Sequence, residues 1–503
     1  MQNDYTGCWH FACLDECSPL YTENYINIIH IYMATLIKLK KGYDLKLQGG
    51  IVSDEVTPAS KSALYAVIPD DFTGIVPRME VKEGDNVAAG DVLYHDKNYE
   101  SIKVTSPVAG VVKAVNRGER RKIESIVIEP DNSGNKKTFD LKNDAKSVLL
   151  ESGLWCMTRQ RPYDIVPKPD AEIRDVFVTC FDSAPLAPSL SVVLGEKRKY
   201  IEKGVEILKS LTKGTVYLGC REDEVFEAAN AETVIFKGHH PAGNAGVQAA
   251  NIAPVNKGDT IITLDVVTLA RIGHLFTEGF IDFDTTVAVV GSEVSAPKYM
   301  SCTIGCQIST LLNGNLKNDG EIARIICGNV LSGVKTPKDA YLRSPYRQVT
   351  VIPELIHKDE FLGWASLSPK KFSVYHNFTH WLFGGGKKSN EMDARINGGE
   401  RAIVMSGEYD HMLPMDIYSE FLIKAIIAFD LDKMEITGTV LTLDYRTIQT
   451  RIRRLNDIDK MEQLGIYEVA PEDFALAEYA DTSKLELQRI VREGLDRMRK
   501  EME

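Results

Sequence analysis

One glycine-rich loop brings together side chains and backbone groups that could contact a redox ligand. It reads KGHHPAGNAG, from Lys237 to Gly246, and it follows the short apolar run TVIF. Ligands of α/β proteins bind beyond the carboxyl ends of such strands, which favours a flavin or quinone contact here. The candidate contact residues are Gly238, His239, His240, Pro241, Gly243 and Asn244. The alternative is a tight turn whose histidines face solvent, because many surface loops carry no function.

Two other segments lack the glycines that phosphate binding requires. After the apolar run DVFVTC the chain reads CFDSAPLAPSL, Cys180 to Leu190, without the glycines that let a pyrophosphate approach a helix start. In FGGGKKS, Phe383 to Ser389, Trp381 stands where the first glycine of GxxxxGK[ST] belongs. We therefore expect no ordinary NAD site, and a flexible surface loop at residues 383–389.

The cysteines do not have the spacing of a metal site. Cys8, Cys13 and Cys17 have no paired partner set, and Cys302 and Cys306 form CxxxC rather than CxxC. No Ser-His-Asp set and no HExxH motif can be argued from the sequence. We therefore expect no metal site, neither zinc nor iron-sulfur, and we assign no catalytic residue.

Composition limits the partners that this chain can bind directly. Its 503 residues are 44% hydrophobic and 26% charged, with a formal net charge of −12. Nucleic acid and anionic lipid both attract clustered Lys and Arg, so neither is an expected partner. The most apolar run, Tyr25 to Ile37, is too short for a membrane span, which takes about 20 residues. We expect a cytoplasmic protein without direct membrane insertion, attached to any membrane through protein partners.

The length predicts several domains, and changes of pattern place their boundaries. Residues 1–32 contain no Lys or Arg and precede Met33, and we interpret them as a translated upstream leader that is not native. The other predicted units are an N-terminal β module at 33–140, a Rossmann-like α/β domain at 141–300, a β-grasp module at 301–405 and a helical domain at 406–503.

Strand and helix patterns support this division. From Phe72 to Glu129, short alternating strands are separated by glycine turns, which is typical of a small all-β module. From Asp175 strand and helix patterns alternate, with a predicted helix at 222–231 (EDEVFEAANA) and a predicted strand at 285–291 (TTVAVVG). Such alternation predicts a doubly wound parallel sheet.

The β module resembles the barrel-sandwich hybrid of lipoyl and biotinyl carriers. VKEGDNVAAGDVL (81–93) and TSPVAGVVKAV (105–115) correspond to its two halves, with KNYESIK (97–103) between them. Carriers bear a modified lysine at this hairpin tip, whereas aligning on Ser106 and Pro107 places Tyr99 there. A phenol cannot replace the lysine amine in an amide link. We therefore expect a scaffold without a swinging arm.

Five further motifs follow or flank the hybrid in a fixed order. They are KKGYDLKLQGG (40–50), FVTCFDSAPLAPS (177–189), KGHHPAGNAG (237–246), RIICGNVLSG (324–333) and GGERAIVMSGEYDHMLPMDI (398–417). Together with the hybrid they resemble the NqrA family, the A subunits of the sodium-translocating NADH:quinone oxidoreductase, which are related to RnfC of the Rnf complex. The resemblance runs from about Met33 to near the C terminus.

The resemblance implies an α/β and α+β multidomain fold: a barrel-sandwich hybrid, a Rossmann-like doubly wound domain, an SLBB-like β-grasp module and a C-terminal helical domain. It implies a peripheral protein on the cytoplasmic face of the inner membrane, docked on the integral membrane and other subunits B to F of the complex. The whole complex couples NADH oxidation and quinone reduction to Na⁺ export, using flavins and iron-sulfur centres. This chain is expected to bind no cofactor and to have no independent activity, and quinone contact is an open part of the prediction.

One departure and two alternatives accompany the resemblance. Related proteins carry cysteines near the C terminus, but LAEYADTSK, Leu476 to Lys484, has none, which excludes a cluster ligand there. The alternatives are a free-standing flavin- or NADH-dependent oxidoreductase and an unmodified carrier-like scaffold protein. The sequence leaves open which quinone is used and whether this chain contacts it.

Overall fold

The computed structural model describes residues 35–131, 133–317, 323–354, 374, 389–396, 398–404, 407–436 and 465–502, with the backbone alone at 429–436. The predicted leader and nearly all of the FGGGKKS segment lie outside these residues. Within them, no helix is both long enough and apolar enough to cross a bilayer.

Nineteen strands are present in the described part of the chain. They are β1 Thr35–Lys38, β2 Val56–Pro58, β3 Tyr65–Val67, β4 Pro77–Met79, β5 Asn86–Val87, β6 Val92–Asp96, β7 Lys103–Thr105, β8 Gly110–Arg117, β9 Ile123–Pro130, β10 Arg159–Arg161, β11 Val176–Thr179, β12 Val216–Arg221, β13 Glu232–Lys237, β14 Ile261–Asp265, β15 Asp284–Val290, β16 Lys298–Thr303, β17 Ala323–Cys327, β18 Val334–Lys335 and β19 Gln348–Pro353.

Nine α-helices are present in the same residues. They are α1 Ala145–Ser152, α2 Leu190–Leu194, α3 Ile201–Leu211, α4 Ala245–Ile252, α5 Val266–Glu278, α6 Ile308–Leu312, α7 Ser419–Ile436, α8 Ala475–Ala480 and α9 Leu487–Met502.

The N-terminal β module is a sandwich of two small sheets. One has the order β3-β9-β8-β5 and the other β4-β6-β7. Gly84 and Gly90 occupy turns at φ +93° and +96°, a conformation that side chains rarely adopt, which explains the predicted glycine spacing. Leu93 and Ile126 are fully buried in the core of the module. The barrel-sandwich hybrid fold is confirmed.

Tyr99 lies in the hairpin connection between β6 and β7. Its backbone N–H donates to the Oδ2 atom of Asp96 at 3.2 Å, and its carbonyl accepts from the Ile102 N–H at 2.9 Å. The ring packs against the apolar core rather than projecting freely. Tyr99 is therefore fixed by its backbone and by the packing of its ring at the hairpin position where a carrier would present its lysine.

The α/β domain contains a six-stranded sheet with the order β1-β13-β12-β11-β14-β10. Its strands are parallel except for β10, which runs antiparallel to β14. In chain order the four central strands read 3-2-1-4, as in doubly wound folds. Helices α3 and α5 can cross closely because Gly273 of α5 has no side chain. A Cβ atom there would lie only 1.9 Å from the carbonyl oxygen of Tyr200, the residue before α3. The doubly wound prediction is confirmed for this sheet.

Strand β15 does not belong to the parallel sheet, so the prediction for TTVAVVG was wrong. It pairs antiparallel with β16 and parallel with β19, in a second six-stranded sheet with the order β18-β17-β19-β15-β16-β2. Six of its seven residues are buried, so both of its faces are covered and its pattern carries no information about its partner. The domain boundaries themselves stay a prediction.

The helix predicted at 222–231 is also wrong. Residues 225–228 have no regular structure, and Asn230 adopts φ +68°, which interrupts a helix. Glu224 instead turns inward, where its Oε1 atom accepts hydrogen bonds from the Ser189 hydroxyl at 3.0 Å and the Ser191 N–H at 2.5 Å. These tertiary contacts override the helix propensity of the acidic, alanine-rich segment.

The described part of the C-terminal region, residues 407–436 and 465–502, is mainly helical, as predicted, and packs against the parallel sheet. Leu422 and Ile426 of α7 and Leu495 of α9 are buried in one apolar cluster. The same cluster includes Phe177 of β11 and Val247 of α4. The helical tail therefore shares its core with the α/β domain and brings residues of the tail close to the carboxyl ends of the strands.

Candidate functional site

A cleft of about 460 Å³ opens beyond the carboxyl ends of β11 and β14. These strands are neighbours, but the chain leaves β11 toward β12 on the opposite side, so the strand order reverses here. Thr179 and Asp265, the last residues of the two strands, line the cleft. Ligands of doubly wound folds bind at this point. We call it the switch-point cleft.

Every domain of the described chain contributes to its walls. Asp71 comes from the barrel-sandwich hybrid, His240 from the glycine-rich loop, Arg343 and Arg347 from the segment before β19, and Glu472 from the C-terminal region. A cleft at this point of the fold is a candidate for ligand binding.

His240 is the buried histidine of the glycine-rich loop. Its Nδ1 atom lies 3.0 Å from the Oγ atom of Ser183, and that Oγ accepts a hydrogen bond from the Gly243 N–H at 2.8 Å. The hydroxyl has its own hydrogen to donate, and the histidine tautomer that accepts it at Nδ1 carries the ring proton on Nε2. Burial lowers the pKa of His240 to about 4. His240 is thus a neutral hydrogen-bond donor at the cleft.

The chain segment after β1 fixes this loop from outside. Asp44 accepts a hydrogen bond from the His240 N–H at 2.9 Å through Oδ1, and its Oδ2 lies 2.6 Å from the Nδ1 atom of His239. The Tyr43 N–H donates to the His240 carbonyl at 2.9 Å. A Cβ atom on Gly42 would lie 2.4 Å from that carbonyl oxygen, so only glycine fits there. The loop is held rigidly before any ligand binds.

The six candidate contact residues separate into two groups. His240, Gly243 and Asn244 line the cleft. Gly238, His239 and Pro241 do not: Gly238 faces Leu39, and the side chain of His239 is 60% exposed. The side chain of His239 therefore faces solvent, whereas His240 faces the cleft. Whether any of them contacts a quinone stays a prediction.

Carboxylates outnumber cations on the cleft walls. Among the described residues, six carboxyl groups line it against three guanidinium groups; these are Asp70, Asp71, Asp164, Asp182, Asp265 and Glu472, and Arg159, Arg343 and Arg347. Asp71 is paired, because it accepts from the Arg343 Nε at 2.5 Å and from the Ser344 N–H at 2.9 Å. Burial nevertheless raises the pKa of Asp71, against the opposing charge of Arg343. The excess of acid disfavours phosphorylated ligands.

Glu472 is an acid of the cleft whose pKa is raised. Its Oε1 atom accepts a hydrogen bond from the Nη2 of Arg161 at 3.2 Å, although half of the side chain is exposed to the cleft. Loss of solvation raises its pKa to about 7, the nearby Asp473 adds to the rise, and Arg161 opposes it. Glu472 therefore keeps its proton to a higher pH than an ordinary glutamate does.

The described residues do not fit a dinucleotide or a metal. Helix α2, which follows β11, has only five residues and no glycine-rich approach, and the walls are acidic. No group of three or more metal-ligating side chains occurs among the described residues. Cys156 lines the cleft, but burial raises the pKa of its thiol far above the usual range, so it is not a reactive thiolate.

Sequence reasoning missed Ser183, Arg343 and Glu472. Ser183 lies in the segment CFDSAPLAPSL, whose lack of glycine is its most obvious feature in the sequence. Arg343 and Glu472 are separated from the loop by about a hundred residues or more, and no local pattern marks them. Only the position of Ser183 directly after a parallel strand offered a signal that could have identified it.

Three segments of the chain match domains of one family. Residues 37–131 match the NqrA N-terminal barrel-sandwich hybrid domain, residues 141–281 the NqrA second alpha/beta domain, and residues 286–338 the NQRA C-terminal domain, of the SLBB type. The fold and the cleft thus define a multidomain α/β protein built around a ligand-sized switch-point site.

Whole-chain relatives agree with these matches. The A subunit of the Na(+)-translocating NADH-quinone reductase of Saccharophagus degradans is 36% identical, that of Hahella chejuensis 33% and that of Vibrio anguillarum 32%, each over 481 residues that cover 93% of this chain and 100% of the relative. The chain belongs to the NqrA family, the A subunits of Na(+)-translocating NADH-quinone reductases. The resemblance predicted from the ordered motifs is confirmed.

A solved structure of an NAD⁺-reducing [NiFe]-hydrogenase in the H₂-reduced state overlaps with a TM-score of 0.35 and 11% identity, over 70% of this chain and 63% of that chain. Similarity at this level supports no conclusion about this protein.

Proposed function

We propose that this chain is the peripheral NqrA component of a sodium-translocating NADH-quinone reductase, docked on its companion subunits at the cytoplasmic face of the inner membrane. We further propose that the switch-point cleft gives a quinone head group access to this chain. Membership of the family and the full-length relatives support the first part. The single observation that carries the second is a neutral, buried His240 that lines a cleft at the ligand-binding point of the fold.

The cleft suits an uncharged, planar ring with two acceptor oxygens. The carbonyl oxygens of a quinone accept hydrogen bonds, and the Nε2–H of His240 is placed to donate one. Phe181, Leu190 and Leu264 supply apolar walls for the ring. Glu472 can hold a proton beside the cleft near pH 7. These residues bind and orient the head group, while the electrons come from groups held by other subunits, since this chain is proposed to bind no cofactor.

Photo-crosslinking of a quinone analogue in the assembled complex tests this function. We expect label on peptides that contain residues 239–245 or 471–475, and loss of most of that label when excess quinone competes. His240→Gln is expected to reduce the labelling several-fold. His239→Gln is the matched control, because it removes the neighbouring histidine that points away from the cleft.

The outcomes separate the alternatives. Labelling of other subunits with none on this chain would reduce the chain to a scaffold. NADH oxidation by the purified chain alone with a dye acceptor would favour a free-standing oxidoreductase. Added mass on a lysine of the intact chain would favour a carrier.

A further inference from the structure

Asp265 stands at the point of the switch-point cleft where an anion would otherwise bind. We infer that its carboxylate occupies a phosphate position and makes the cleft reject phosphate-bearing ligands such as nucleotides. Asp265 would thus be a specificity-determining residue. Asp265 would exclude phosphate-bearing ligands whether or not a quinone binds in the cleft.

The first observation is the helix that begins at this residue. Asp265 ends β14 and is the N-cap of α5, whose thirteen residues start at Val266. Its Oδ1 atom accepts a hydrogen bond from the Thr268 N–H at 2.6 Å. The N terminus of a helix attracts anions through its free N–H groups and its dipole, and α/β folds use such ends to hold phosphates. Here a side chain of the protein takes that position.

The second, independent observation is a buried arginine directed at the same place. Arg347 is only 8% exposed, and its Nη2 lies 3.4 Å from the Oδ2 of Asp265. Its Nη1 donates to the Ser344 carbonyl at 3.0 Å, while its Nε is buried without a hydrogen-bond partner among the described residues. The guanidinium of Arg347 and the N terminus of α5 therefore both act on the carboxylate of Asp265, and both are groups that hold anions in proteins.

A second guanidinium strengthens the positive potential behind Asp265. Arg271 lies on the second turn of α5, where its Nε donates to the Asp282 carbonyl at 2.6 Å. Burial lowers the pKa of Arg271 to about 10, and the repulsion from nearby Arg347 contributes to the decrease. Asp282, Asp265 and Asp284 oppose this decrease, and Asp265 is the one among them that also pairs with Arg347.

A carboxylate also lies at the start of helix α4, which borders the cleft. Helix α4 begins after Asn244, whose Nδ2 donates to the Oδ1 of Asp473 at 3.1 Å. A Cβ atom on Gly246 would lie 2.7 Å from the Oδ2 of Asp473, so this carboxylate also lies against the helix start. Asp182 adds a further carboxyl, whose pKa is raised first by burial and also by the charge of Asp265. A phosphate in the cleft would meet repulsion on several sides.

Phosphate binding to variants of the purified full-length chain tests the inference. The probes are inorganic phosphate and ADP, measured by isothermal titration calorimetry at low salt. Asp265→Ser keeps a capping hydroxyl, removes the charge and opens space, and it is expected to bind phosphate about tenfold or more tighter than the unaltered chain. Asp265→Asn, which keeps both the cap and the side-chain shape, is expected to show a smaller gain in the same direction.

Two controls decide whether the gain belongs to this site. Asp182→Asn removes a carboxylate from the same cleft away from the α5 start, and it should raise phosphate affinity by clearly less than Asp265→Ser does. Adding Arg347→Gln to Asp265→Ser should abolish the gain. The inference is overturned if the folded Asp265 variants, checked by near-UV circular dichroism, gain no affinity, if Asp182→Asn gains as much, or if the unaltered chain already binds phosphate equally well.

Discussion

The Nδ1 atom of His240 lies 3.0 Å from the Oγ atom of Ser183, although the residues are 57 positions apart in the chain. Ser183 follows β11 and His240 follows β13, so the parallel sheet brings the two loops together at its carboxyl edge. This contact fixes the orientation of the His240 ring through its Nδ1 atom. The two loops therefore act as one unit.

Removal of that hydroxyl is expected to destabilise the fold. Ser183→Ala leaves the Gly243 N–H and the His240 Nδ1 without their partner, and a buried polar group without a partner costs about 1–3 kcal/mol. Urea unfolding measures this change. Ser53→Ala, at an exposed position, is the control and should change stability by less than about 0.5 kcal/mol. Equal effects in both variants would contradict the proposed contact.

Acid should destabilise the protein through His240. Its pKa is lowered from 6.5 to about 4 by burial, so the unfolded chain takes up a proton at a higher pH than the folded chain does. Its contribution to stability is full above pH 6.5 and is lost as the pH falls toward 4, with a total on the order of 3 kcal/mol. The difference between the unaltered chain and His240→Gln in urea unfolding at several pH values isolates this contribution. His239→Gln should keep it.

Quinone-analogue labelling of the cleft should decrease as the pH rises through neutrality. Glu472, whose pKa is raised to about 7, can donate a hydrogen bond to a quinone oxygen only while it is protonated. Glu472→Gln should remove this pH dependence and keep the labelling. Glu468→Gln is a matched control, because burial also raises the pKa of Glu468 to about 7 but the residue does not line the cleft. A flat profile in the unaltered complex would refute this role for Glu472.

Loss of Arg343 should destabilise the contact between two domains. The buried Asp71 pairs with the Nε of Arg343, and removing one member of a buried ion pair costs about 3–5 kcal/mol. Arg343→Ala should therefore lower the melting temperature clearly in differential scanning calorimetry. Arg78→Ala breaks the pair with Glu100, whose side chains are 64% and 75% exposed, and should cost less than about 1 kcal/mol.

Local sequence patterns predicted the features that depend on neighbouring residues, such as turns and the order of strands and helices. Gly84 and Gly90 could be predicted as turn residues because the turns need positive φ values, which glycine adopts readily. Tyr99 could be placed at the hairpin tip by its spacing in the sequence from Ser106 and Pro107. The alternation of strands and helices predicted the doubly wound sheet for the same reason. The position of the KGHHPAGNAG loop after a buried strand predicted its place at the carboxyl edge.

Non-local relationships were not predictable from one sequence. Strand β15 is apolar on both faces, so its pattern fits either large sheet and only tertiary packing assigns it. The acidic, alanine-rich segment around Glu224 is typical of a helix. The contacts of Glu224 with Ser189 and Ser191 form only in the folded chain, so the sequence could not show that they replace the helix. Arg347 and Glu472 reach the cleft from distant segments, so no spacing rule could have indicated them.

The pairing of β1 with β13 has a practical consequence for handling this protein. Thr35–Lys38 forms the edge of the parallel sheet, and six residues further on Asp44 holds the backbone of His240. A displacement of β1 would therefore shift Asp44 and, through it, the backbone of His240. An affinity tag or fluorescent fusion placed immediately before Thr35 should be compared with a tag placed elsewhere before any change in ligand labelling is attributed to a point variant.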